Sequence, residues 1–97
     1  MSAYLIATLK IHDRERYGSY EAGFIDIFNR YKGKLLSVDE DVQTLEGDWS
    51  FTRTVLVEFP SKEDALDWFQ SDEYQALADH RKAASSGSIV MLQGLDV

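Results

Sequence analysis

Arg53 stands at the start of the run RTVLVEFP, on the same alternating face as Val55, Val57 and Phe59. A guanidinium at the edge of an apolar layer needs a partner, and its planar fork fits a carboxylate with two parallel hydrogen bonds. Glu46, in the EGDW turn just before the run, is the internal candidate, and an anionic ligand is the external one. Tyr17, Tyr20, Tyr31, Trp68 and Tyr74 form an aromatic set on helical faces that should meet a sheet. Core packing explains most of that set, yet buried phenols seek hydrogen-bond partners. A pocket of Tyr20, Trp49 and Tyr74 with one arginine would suit a flat aromatic or carboxylated molecule. Arg81 shares a helical face with Tyr74, Leu77 and Ala78, and His80 precedes it. The candidate ligand-binding set is therefore Tyr20, Glu46, Trp49, Arg53, Tyr74, His80 and Arg81.

Other chemistries find little support. His12 and His80 are the only histidines, and they lack the spacing of a zinc or iron site. Either could serve as a general base, or each could simply be solvated. The DED at Asp39–Asp41 lacks the other ligands and the glycine of a calcium loop, so it reads as a solvated face. The expectation is no metal. GSYEAG and GSIVMLQG pair glycines without a phosphate-binding pattern, so no cofactor is expected. SSGS, at 85–88, reads as a loop rather than a nucleophile elbow.

The elements that must position these residues follow from periodicity. Ala3, Leu5, Ala7, Leu9 and Ile11 alternate with Tyr4, Ile6, Thr8 and Lys10, which makes a first strand with one core face. Asp13 caps a helix whose Tyr17, Tyr20, Phe24, Ile27, Phe28 and Tyr31 form one stripe, and Gly33 should end it in a left-handed turn. A second strand is expected from Lys34 to Val38, interrupted at DED by an exposed edge or bulge and resumed over Val42–Leu45. EGDW then makes a hairpin turn into a third strand over Thr52–Phe59, which Pro60 terminates. Ser61 and Asp64 form a capping pair, the helix breaks near Ser71 with a second cap, and a last strand spans Ile89 to about Leu95.

The order β, α, β, β, α, β is the split arrangement of ferredoxin-like α+β domains, with both helices on one face of an antiparallel sheet. The other face would carry Tyr4, Ile6 and Leu56, which a second subunit would cover, so a homodimer joined sheet to sheet is expected. With 97 residues, the chain is expected to be a single domain, 1–97. Seventeen acidic and ten basic residues give a formal net charge of −7, which argues against nucleic acid or an anionic membrane as partner. There is no cysteine, and the short apolar run at the start has no basic leader, so a cytoplasmic location is expected.

YGSYEAGF, YKGKLL, LEGDW, VLVEFPSKEDALDWFQSDEYQAL and HRKAASSGSIVMLQG together resemble the DUF1330 family of small dimeric α/β-barrel proteins, over Tyr4 to Gly94. That resemblance implies a ferredoxin-like subunit paired into a barrel. Its superfamily also holds cofactor-free monooxygenases, muconolactone-isomerase-like enzymes and haem-binding members. Three functions stay open at this point. The first is a dimer that binds a small organic molecule between helices and sheet through Arg53 and the aromatic set. The second is a cofactor-independent monooxygenase- or isomerase-like enzyme with His80, Glu46 or a tyrosine moving a proton. The third is a non-catalytic dimer whose acidic surface meets a protein partner.

Overall fold

The computed structural model describes residues 1–95; Asp96 and Val97, inside the expected domain, lie outside the described residues. The elements are β1 (Ala3–Ile11), α1 (Arg14–Phe28), β2 (Lys34–Asp39), β3 (Arg53–Phe59), α2 (Lys62–Phe69), α3 (Asp72–Ala84) and β4 (Ser85–Gln93). One antiparallel sheet runs in the order β2-β3-β1-β4. This is the ferredoxin-like arrangement, with the second helix divided in two.

Three local signals set the helices. The side chains of Asp13, Ser61 and Ser71 each accept a hydrogen bond from the backbone N–H three residues on, at Arg16, Asp64 and Tyr74. Each satisfies one of the donors that a helix start leaves free. The cap at Ser71 is what divides α2 from α3.

The alternation of β1 decides which face is buried. Ala3, Leu5 and Leu9 are within 7% of full burial, and Leu5 and Leu9 pack with Tyr17, Tyr20, Phe28, Val57, Phe59, Trp68 and Tyr74 in one core. Trp68 sits at the centre of the aromatic cluster, with ring centroids 5.3 Å from Phe28, 5.6 Å from Phe59 and 4.2 Å from Tyr74. On the opposite face the register places Ile6 between Leu56 and Val90, and Tyr4 beside Leu92. Val90 and Leu92 are half exposed. No helix lies on that side among the described residues, and the Cα extents of 36 × 36 × 16 Å describe a two-layer slab.

Four expectations are corrected. Gly33 is not a left-handed cap, since among the described residues positive φ occurs only at Gly47 and Gly87. The helix ends earlier, with Asn29 as a right-handed cap. Gly33 is small for another reason: a Cβ there would lie 2.5 Å from the Phe28 ring and 2.7 Å from Phe59. Second, Val42–Leu45 does not resume β2. The last ladder pair is Asp39 with Thr54, and Asp39 Oδ1 then accepts from the Asp41 N–H at 2.7 Å, an Asx turn that carries the chain out of the sheet. The irregularity in β2 falls at Leu36, between Leu35 and Ser37, not at DED.

Third, EGDW is no tight hairpin turn but part of a long excursion, residues 40–52, in which Gly47 has φ 82°. Fourth, SSGS is strand, not loop, and β4 spans Ser85–Gln93 rather than beginning at Ile89 and reaching Leu95. α3 passes into β4 with no connecting residue, and Ser85 Oγ donates to the Arg81 carbonyl at 2.7 Å, satisfying one of the free carbonyls at the helix end. Gly87 pairs with Leu9 so closely that a Cβ would collide with the Thr8 carbonyl oxygen. Here glycine marks close strand approach rather than a loop.

Candidate functional site: a donor-lined cavity between helices and sheet

A cavity of about 230 Å³ opens between α1, α3 and the helix-facing side of the sheet. Its floor is built from alternate residues of β1 and β3, with Ala7 between Leu5 and Leu9, opposite Val55 and Ile89. The small Ala7 side chain leaves the space that a leucine would take. Tyr17, Tyr20, Glu21 and Phe24 of α1 line it at i, i+3 and i+4 spacing, and Trp68, Tyr74 and Arg81 line it from α2 and α3.

Arg53 and Arg81 both reach this cavity, and their environments differ. The Arg53 side chain is 14% exposed, and its Nη1 donates to Glu40 Oε2 at 2.8 Å and lies 3.5 Å from Glu21 Oε2. Its guanidinium carbon is 5.3 Å from the Tyr17 ring centre, within cation–π range. Glu40 also accepts from Arg14 at 2.9 and 3.1 Å, so one carboxylate ties two arginines at the rim. Hydrogen bonds from Arg14, then Arg53, hold the Glu40 carboxyl below its ordinary range. Arg81 is 9% exposed, its guanidinium carbon is 5.9 Å from the Tyr20 ring centre, and it has no salt bridge among the described residues.

The polar atoms of the lining are donors in excess. Arg53 Nε, Arg81 Nε and Trp68 Nε1 are buried and find no acceptor among the described residues. Tyr20 and Tyr74 place their hydroxyl oxygens 2.7 Å apart, so one proton lies between them and the other hydroxyl hydrogen is free to donate. Burial, and then the neighbouring Tyr74, raises the Tyr20 phenol far above its ordinary value, so it stays protonated. Burial likewise raises Tyr17, against the opposing pull of Arg53. Buried N–H groups without acceptors are rare and costly, roughly 1–3 kcal/mol each.

Of the seven residues singled out from sequence, Tyr20, Arg53, Tyr74 and Arg81 line the cavity, and Glu46, Trp49 and His80 do not. Glu46 and Trp49 lie in the exposed 40–52 segment, where Trp49 is 44% exposed and packs on Phe51, ring centres 5.2 Å apart. Glu46 is not the partner of Arg53; Glu40 is. The antiparallel register explains this, because Glu40 follows Asp39, which pairs with Thr54, and so falls opposite Arg53. His80 is outside the cavity, its Nδ1 accepting from Arg16 Nε at 2.9 Å. His12 is exposed. Sequence reasoning missed Glu21, although it lies four residues after Tyr17 on the same stripe, and Glu40, which had read as part of a solvated face. Among the described residues no cluster of His, Cys, Asp or Glu could hold a metal ion. Nor is any described helix long and apolar enough to cross a membrane.

The sheet order, the helices confined to one face and the cavity between the layers define a ferredoxin-like α+β protein. Solved structures with this fold agree. RPA0582 from Rhodopseudomonas palustris, a protein of unknown function, superposes with a TM-score of 0.81 at 18% identity, covering 99% of this chain and 84% of that one. SnoaB from Streptomyces nogalater, a cofactor-independent oxygenase, gives 0.69 at 12% identity, covering 99% and 95%. A dimeric protein of unknown function and ferredoxin-like fold from Bacteroides fragilis gives 0.64 at 13% identity, covering 96% of each chain. The chain belongs to the DUF1330 family, "Domain of unknown function (DUF1330)", whose family model matches residues 2–95. No curated protein matches.

Proposed function

We propose that this protein is a homodimer that binds a small aromatic or carboxylated molecule in the cavity between helices and sheet. The observation that carries this reading is the set of three buried N–H donors without acceptors among the described residues, Arg53 Nε, Arg81 Nε and Trp68 Nε1, on residues that line one apolar cavity. Such a lining complements a ligand with an apolar body and acceptor atoms, since each donor, once its side chain turns it toward the cavity, loses its desolvation penalty when the ligand supplies an oxygen. Size sets a bound. An apolar cavity of about 150 Å³ is enough to take benzene, so 230 Å³ accommodates one ring with a small polar substituent.

The dimer reading rests on the open sheet face, where Tyr4, Ile6, Leu56, Val90 and Leu92 form a continuous apolar patch, and on the dimeric state of the Bacteroides fragilis protein. A second copy would bury that patch without a new interface type.

Thermal melts with a panel of single-ring acids, phenols and amides test the binding reading. A ligand that binds only the folded state adds RT ln(1 + [L]/Kd) to the folding free energy and so raises the melting temperature. Saturable stabilisation by ring compounds is expected, and an unchanged melting temperature across the panel at millimolar concentration would refute it.

Glu21 supports a second reading, cofactor-independent proton transfer. It is the carboxylate in the cavity lining, and Arg53 stands beside it. The fold shared with SnoaB adds little, because one fold hosts many chemistries. Deuterium uptake from heavy water into ring compounds with an acidic C–H, lost in Glu21→Gln, is the expected sign; absence of exchange would remove this reading.

A further inference from the structure

The two arginines of the cavity are not equivalent, and the difference gives the ligand a direction and a charge. Arg53 is neutralised from within, by Glu40 at 2.8 Å and Glu21 at 3.5 Å. Arg81 is buried to nine-tenths and has no carboxylate partner and no side-chain hydrogen bond among the described residues. Two features of the fold offset part of its charge. Arg81 lies in the last turn of α3, where the helix dipole favours a cation, and the face of Tyr20 lies 5.9 Å away. Neither offers an acceptor to the buried Nε–H, and a buried charge is ordinarily paired.

Resting on the binding reading above, we propose that Arg81 is the anchor for an anionic group, so that the molecule taken is a one-ring monocarboxylate. Its carboxylate meets the Arg81 guanidinium and its ring lies among Tyr20, Phe24 and Trp68. The aromatic neighbours are placed for it: Tyr20 lies 5.8 Å from Phe24 and Phe24 lies 6.0 Å from Trp68, all by ring centres. The free hydroxyl hydrogen of the Tyr20–Tyr74 pair supplies a second donor near the same end. A single negative charge suffices, because Glu40 and Glu21 already answer Arg53, and a second carboxylate there would meet them. The chain's −7 net charge gives no long-range attraction to anions, so selection for the anion is local to Arg81.

The test compares each acid with its own amide: benzoate, salicylate, phenylacetate and cyclohexanecarboxylate against the corresponding carboxamides, by calorimetric titration of the full chain. Acids are expected to bind about tenfold or more tightly than amides, the factor one charge-assisted hydrogen bond carries. In Arg81→Gln that preference should collapse, and Arg81→Lys should restore part of it. Equal affinity of acids and amides for the unmodified protein would overturn the anion assignment and leave the binding reading intact. Binding by neither class would overturn both. An acid preference that survives in Arg81→Gln would place the anchor elsewhere. Should Arg81→Gln not fold, the Arg81 Nε–H resonance of the unmodified protein decides: it shifts with benzoate if Arg81 is the anchor, and stays fixed if it is not.

Discussion

Arg53 Nη1 lies 2.8 Å from Glu40 Oε2, and the same carboxylate accepts two hydrogen bonds from Arg14, so the 40–52 segment is tied at its root to both β3 and α1. Two further bonds tie its far end. Thr52 Oγ1 accepts from the Ile11 N–H at 2.9 Å, and the Thr52 N–H donates to the Leu9 carbonyl at 2.7 Å. The rim of the cavity is thus held by groups from two strands, a helix and the segment itself.

A pH dependence follows from Glu40. Its folded-state pKa is depressed, so the stability it contributes is present above its unfolded value, near 4.5, and is lost as pH falls through the folded value. Glu40→Gln should therefore flatten part of the acid limb of the stability curve below about pH 4.5. At neutral pH it should cost no more than about 1 kcal/mol, because the side chain is 39% exposed and its ion pairs are screened by solvent. Urea melts across the acid range check both statements.

Ala7 sets the volume of the cavity floor. Ala7→Leu should abolish binding of ring compounds, with folding stability held within about 1 kcal/mol because the added methyl groups enter open space. Calorimetric titration and a thermal melt of the same sample read the two effects separately.

The glycines divide by what surrounds them. At Gly18, within α1, an added methyl would have no atom within 4 Å, so Gly18→Ala should stabilise by about 0.5–1 kcal/mol. Gly87→Ala forces a Cβ into the Thr8 carbonyl and should destabilise by about 3 kcal/mol or more. Thermal melts should move in opposite directions, by several degrees in each case.

Much of this fold was legible because the decisive signals are local. The one-sided burial of β1 is written in strict alternation, and the caps at Asp13, Ser61 and Ser71 act within three residues of themselves. What escaped depends on contacts distant in sequence. Gly33 and the SSGS run carry the composition of turns, but the reasons are the Phe28 and Phe59 rings at Gly33 and the Thr8 carbonyl at Gly87, which composition does not show and the folded chain brings near. The site divides in the same way. Tyr20, Tyr74 and Arg81 follow from helical spacing and Arg53 from strand alternation, whereas the choice of Glu40 over Glu46 as its partner required the β2–β3 register and the Asx turn at Asp39.

The open sheet face gives a prediction on assembly. Val90 lies half exposed beside Ile6, and Val90→Glu places a charge in the middle of the apolar patch. Sedimentation equilibrium should find a dimer for the unmodified protein and a monomer for the variant, since an unpaired charge at the centre of an interface is strongly unfavourable. A monomeric unmodified protein at micromolar concentration would contradict the dimer.

The two tryptophans allow the binding claim to be read directly. Trp68 Nε1 is buried, without an acceptor among the described residues, on a residue that lines the cavity, while Trp49 is exposed on the 40–52 segment. A nitrogen–proton correlation spectrum recorded during a benzoate titration therefore contains an internal control. The Trp68 indole resonance should shift saturably as its N–H gains an acceptor or its surroundings a new ring, and the Trp49 resonance should hold still. A Trp68 resonance that does not move at millimolar benzoate, or that moves only in step with Trp49, would contradict a ligand in this cavity.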